Sequence, residues 1–109
     1  TAVAELKSGD IAEYVISPED FSFARGSLDS LKVDSATESL SMVKAALSGE
    51  FETAGDMVAL NAGAAVYVSG QAIDLMSGVA MAQDAIGSGL ATEKMKEFVD
   101  FTVQLGGSV

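Results

Sequence analysis

At 109 residues, 49% of them hydrophobic, the chain has the size of one ordinary domain and the makings of a core. Sixteen Asp and Glu against six Lys and Arg leave a formal charge of -10, which repels the phosphate backbone and disfavours nucleic acid and anionic membrane as partners. Cysteine and histidine are both absent, which removes disulfides, thiolate chemistry and the commonest general base and metal ligand together, and suits a cytoplasmic protein.

The first sixteen residues, TAVAELKSGDIAEYVI, read as a β-hairpin over residues 1–16. Val3 on one side and Ile11, Tyr14, Val15 and Ile16 on the other are β-formers, and Ser8-Gly9 supplies the positive φ that a tight turn needs. An isolated hairpin is marginal in water, so these strands are expected to dock on other structure. The chain opens at Thr1 with no Met and no basic-then-apolar order of a signal peptide, and is expected to be a piece of something longer.

SPEDF is a helix start. Ser17 can cap, Pro18 stands where its missing N–H costs nothing, and Glu19 and Asp20 favour the positive end of the dipole. Beyond Phe21 and Phe23 no period is sustained, which predicts a short turn of helix and then loop. A helix is predicted from about Ser35 to Ser48, with Leu40, Val43 and Leu47 marking its apolar face and Gly49 as a left-handed stop.

The next helix, from about Thr53 to Ser69 and ending at Gly70, is apolar nearly all round; between Asp56 and Ser69 only Asn61 is strongly polar. Its apolar run from Met57 to Val68 spans about 18 Å at helical rise, too short for a bilayer core. Met57, Leu60, Ala64 and Tyr67 form a stripe of larger groups; Ala59, Ala62, Gly63 and Val66 form a small stripe that lets another backbone approach. Helices over about 74–86 and 90–105 follow, the first stopped by Gly87 and Gly89. The second carries Ala91, Met95, Phe98, Val99, Thr102 and Val103 on one face, and GGSV frays from its end. The helices at 35–48, 74–86 and 90–105 are expected to cover much of the apolar one. The fold class is α+β, an N-terminal β-hairpin plus about four helices, with residues 35–105 as the helical part of a single unit spanning 1–109.

Site chemistry is sparse. The glycines of IGSGL and LGGSV do not follow a strand and open a helix with the spacing of a phosphate loop, so helix stops account for them better. Glu93, Glu97 and Asp100 share a helical neighbourhood as metal ligands could, but Lys94 and Lys96 are interleaved and the pattern is that of a solvated face. Arg25 is the only arginine, and its guanidinium suits bidentate phosphate or carboxylate recognition, which makes it the one substrate-binding candidate; a surface role is the plainer alternative. Asn61 is expected to be buried and hydrogen-bonded to backbone, since leaving it unpaired would cost about 1–3 kcal/mol. The five methionines sit at core spacing and imply no cofactor.

Several segments, in this order, resemble the C-terminal part of the anthranilate phosphoribosyltransferase family. VAELKSGDIAEYVISPEDFSF is similar to that family's hairpin and its Thr- or Ser-Pro-Glu-Asp-Phe-Gly step, and LSGE to a helix end. LNAGAAVYVSGQAIDLMSGVAMAQDAIGSGLATEKMKEFVDFT is similar to its long helical close, so the resemblance covers nearly the whole chain. Glu38-Ser39-Leu40 stands where many members have Glu-Asn-Ala, which marks a divergent branch and carries over no role for that Asn.

The resemblance implies an α/β domain of the nucleoside phosphorylase and phosphoribosyltransferase type in a homodimeric parent. It also implies transfer of phosphoribosyl from phosphoribosyl pyrophosphate to anthranilate, with Mg²⁺, in tryptophan biosynthesis. The family's Gly-Thr-Gly-Gly-Asp loop, Lys-His-Gly-Asn segment, anthranilate-binding arginine and Asp-Glu metal pair all precede the point matching Thr1. No catalytic or metal-binding residue is therefore assigned here, and the segment is expected to be structural and inactive alone. Two alternatives are a non-catalytic paralogue acting as a binding protein, which the acidity disfavours if the partner is nucleic acid, and a pyrimidine-nucleoside phosphorylase relative.

Overall fold

Lys7 and Asp10 pair across a two-residue turn and set the register of an antiparallel hairpin, β1 (Ala2–Lys7) and β2 (Asp10–Val15), that ends at the Ala2–Val15 pair. Ser8 and Gly9 both have positive φ, 53° and 83°, the turn geometry whose twist matches that of the flanking strands. The structure, a computed structural model, describes residues 1–106. Strand alternation puts Val3, Glu5 and Tyr14 on the half-buried face. The other face is uncovered: Leu6, Ile11 and Val15 are 72%, 71% and 75% exposed.

A 3-10 turn follows at Pro18–Phe21, closed by the Asp20 carboxylate accepting from the Ser17 N–H at 2.9 Å. It leads to Phe23, which is buried with Ala59, Val79 and Ala82. A second 3-10 turn at Leu28–Leu31 stands where the sequence predicts loop; Ser27 Oγ caps it by accepting from the Asp29 N–H at 3.1 Å. One turn is too short to show a helical period, so only its cap could have betrayed it.

Helix α1 (Ala36–Ser48) starts and stops where its caps require. Ser35 Oγ accepts from the Glu38 N–H, the Glu38 carboxylate reaches back to the Asp34 N–H at 2.7 Å, and Gly49 ends the helix at φ 82°. The inward face is not the expected one. Leu40 and Val43 are exposed and Leu47 is half-buried, while Ala46 is buried between half-buried Met42 and Ala45. The reason is close approach: a Cβ at Gly55 would stand 3.2 Å from the Ala46 carbonyl oxygen, so α1 and α2 meet where both carry small residues.

α2 (Glu52–Val68) and α3 (Leu75–Gly87) share the most extensive contact in the molecule. Asp74 caps α3 through its carboxylate, which accepts from the Ser77 N–H at 2.7 Å. The small stripe of α2 makes the crossing as expected at Ala59 and Gly63, both buried, although Ala62 is exposed. Asn61 is also exposed, against expectation, yet its amide does find backbone: Nδ2 donates to the Met57 carbonyl at 2.9 Å.

α4 (Leu90–Gly106) contacts α3 and α1, and no buried residue lies on it. Ala91 and Met95 are half-buried, but Phe98, Val99, Thr102 and Val103 are exposed, which corrects the expectation of a covered stripe: α1 approaches α4 only along one side, at Met95 and Val99. Gly106 is still helical, and the expected fraying at residues 107–109 lies outside the described residues.

The core is consequently small, with Phe21, Leu60, Leu75 and Ile86 partly buried around its four members. The accessible surface is 7797 Å², against about 5,650 Å² for a compact chain of this mass. The radius of gyration is 15.8 Å, where about 13 Å is usual for this length.

Candidate functional site

Glu5 sits on the inward face of β1, two residues from Val3, whose cross-strand partner is Tyr14. That register brings the Tyr14 ring diagonally to Glu5, and its hydroxyl donates to Oε1 at 2.8 Å. Tyr67, in the last turn of α2, donates to the other oxygen, Oε2, at 2.5 Å. Two phenols thus grip one carboxylate and tie the hairpin to the helices. The hydrogen bond from Tyr67, then that from Tyr14, with Lys7 nearby, hold the Glu5 carboxyl below the usual glutamate value. The same bonds push both tyrosines above theirs.

These side chains wall a cleft of about 900 Å³ between the hairpin, the 23–31 segment and α2, whose apolar lining includes Leu28, Met57 and Leu60. The larger stripe of α2 therefore faces this cleft. Asp56 joins the lining half-buried, its carboxyl pushed up first by burial and then by Glu52. Asn61 lines it too. Lys7 is the only basic side chain there, so the open, largely apolar cleft offers little to cradle phosphate.

Arg25 lies outside the cleft lining, although its neighbours Ala24 and Gly26 contribute to it. Its Nε and Nη2 donate to Glu19 Oε1 and Oε2 at 2.8 and 3.1 Å, a fork on a carboxylate four-square with guanidinium geometry. That fork holds the Glu19 carboxyl down to about 2. Both side chains remain more than half exposed, so the pair is a surface brace on the 18–25 turn.

On α4, Lys94 pairs with Glu97 at 3.0 Å, as a solvated face requires. Among the described residues no group of three or more Asp or Glu stands together as metal ligands would. No helix among them is long and apolar enough to cross a membrane.

The Glu5 cluster escapes sequence reading because its members lie 62 residues apart in the chain. One signal was present: an acid at an inward position of the strand, where alternation calls for an apolar residue, needs a buried partner.

Curated proteins match along nearly the full chain. An anthranilate phosphoribosyltransferase of Chromohalobacter salexigens is 57% identical over 102 residues, covering 94% of this chain and 29% of the relative's length. One of Cellvibrio japonicus is 53% identical over 109 residues, 96% of this chain and 32% of the relative, and one of a Marinomonas species 54% identical over 104 residues, 94% and 30%. The chain thus spans about 30% of the length of the relatives it matches. Residues 1–92 match the family model described as "Glycosyl transferase family, a/b domain", and with most of its length inside that match the chain belongs to this glycosyl transferase family.

Proposed function

We propose that the intact protein transfers the phosphoribosyl group of phosphoribosyl pyrophosphate to the amine of anthranilate, in tryptophan biosynthesis, and that residues 1–109 form the C-terminal part of its large domain. The observation that supports this most is identity at more than half of the aligned positions with proteins of that name, over nearly the whole chain. The reaction forms a C–N bond at the anomeric carbon as the C–O bond to pyrophosphate breaks; pyrophosphate leaves with the electron pair and the amine proton passes to a base. Donors fixed in place for the developing charge would supply most of the acceleration.

Such donors belong, on this proposal, to the remainder of the parent, together with the ligands of any Mg²⁺ bound to pyrophosphate. This chain contributes scaffold, with Arg25 bracing its turn rather than reaching substrate. A cytoplasmic homodimer is the corresponding state of the parent. The test is to follow anthranilate fluorescence with phosphoribosyl pyrophosphate and Mg²⁺. The parent is expected to turn over and the 109-residue chain not to. Turnover by the short chain at the parent's rate overturns its scaffold role, and a silent parent overturns the substrate assignment.

A further inference from the structure

We propose that Glu5 is a clasp: it holds the β-hairpin against the C-terminal end of α2, and its release lets the hairpin swing as a unit from the helical body and open the cleft between them. The Tyr67–Glu5 bond is the only side-chain hydrogen bond between the hairpin and a helix among the described residues. Backbone contact between hairpin and helices is slight beside the contact within each. The hairpin has its own closure, since Thr1 and Ile16 exchange hydrogen bonds at 2.8 Å in both directions. It can therefore move without coming apart.

The clasp is strongest with an ionised carboxylate, whose two oxygens are both charged acceptors, one for each hydroxyl; protonation turns one oxygen into a donor and a much poorer acceptor. The charged or titratable groups facing it are Lys7 on β1, Tyr14 on β2 and Tyr67 on α2, with Asp74 acting on Tyr67 from the start of α3 and Asp56 farther along the cleft. Glu5 is depressed in the folded chain, so its contribution is complete above the ordinary glutamate value and is lost as pH falls through and below it. Both phenols are raised, so their contribution holds below the ordinary tyrosine value and is lost as pH climbs past it. The hairpin is thus held through the neutral range and released in acid. The device stands on the geometry alone and does not depend on the transferase reading.

Two measurements on the full 109-residue chain test it. In Tyr67→Phe, which removes one hydroxyl and keeps the ring, NMR cross-peaks between the ring at 67 and the hairpin protons of Glu5 and Tyr14 are expected to weaken about threefold or more, while cross-strand peaks within 2–15 and the exchange rates of α2 and α3 amides hold. Unchanged cross-peaks overturn the clasp, and loss of the cross-strand peaks or loosening of the helices along with them overturns the swing as a unit. The second readout is built in, since the chain has two tyrosines, both on Glu5, and no tryptophan. Tyrosine emission, quenched by the carboxylate, should rise as pH falls through the glutamate range and should stay flat in Glu5→Gln; the same rise in that variant overturns the assignment.

Discussion

Gly63 and Val79 meet so closely that a Cβ on the glycine would lie 2.5 Å from the valine Cα and 2.6 Å from its backbone nitrogen. Facing it, a Cβ on Gly78 would run into the Gly63 carbonyl. Since backbone cannot rotate out of the way, the α2–α3 crossing must open to admit even one methyl. Gly63→Ala is expected to lower stability by about 1–3 kcal/mol, and Gly63→Leu by more. Denaturant unfolding followed by helical circular dichroism reads it, and an unchanged midpoint would place the crossing elsewhere.

A smaller loss is expected at the start of α1. Ser35→Ala removes the hydroxyl that accepts from the Glu38 N–H and should lower stability by about 1 kcal/mol. Ser35→Asp, which keeps an acceptor, should restore most of it. If both variants melt like the parent chain, the helix does not depend on this cap.

Those caps explain why element boundaries were legible in the sequence. Ser35, Gly49 and Asp74 act through hydrogen bonds and φ values set within a few residues, so their meaning is local. Which face packs inward is decided by partners far along the chain, and there the pattern misled. Leu40, Val43, Phe98 and Val103 have the spacing of a covered face but are exposed. Periodicity records that a face is to be covered and is silent on what covers it. Asn61 is the converse case: its amide satisfied itself one turn back and had no need of burial. The Glu5 cluster was invisible for a third reason, since only the docking of hairpin on α2 brings Tyr67 to it.

The Arg25–Glu19 brace carries a pH signature. Glu19 is depressed to about 2 by the guanidinium, so any stability it lends the 18–25 turn is present above the ordinary glutamate value and fades as pH drops toward about 2. Arg25→Met should return the Glu19 carboxyl toward the ordinary range, read by its side-chain carbon shift in an NMR titration. Because the pair is exposed, strong salt should do part of the same. A Glu19 titration left as low in Arg25→Met would assign the depression to the turn's own backbone instead.

The largest unsatisfied feature is apolar. Phe98 and Phe101 on α4 are 65% and 58% exposed, Leu40 and Val43 on α1 are exposed as well, and the surface exceeds that of a compact chain of equal mass. Patches of this extent on a short chain drive association, opposed here by the net charge of -10. The 109-residue chain is therefore expected to gain mass with concentration in light scattering, and more so as salt screens the charge. Phe98→Ser with Phe101→Ser should shift it toward monomer while leaving its unfolding midpoint near the parent's, because those rings lose little contact within the chain. A monomer at high concentration and high salt would overturn the expectation. Association that persists in the double variant would move the sticky face from α4 to the hairpin, where Leu6, Ile11 and Val15 lie open.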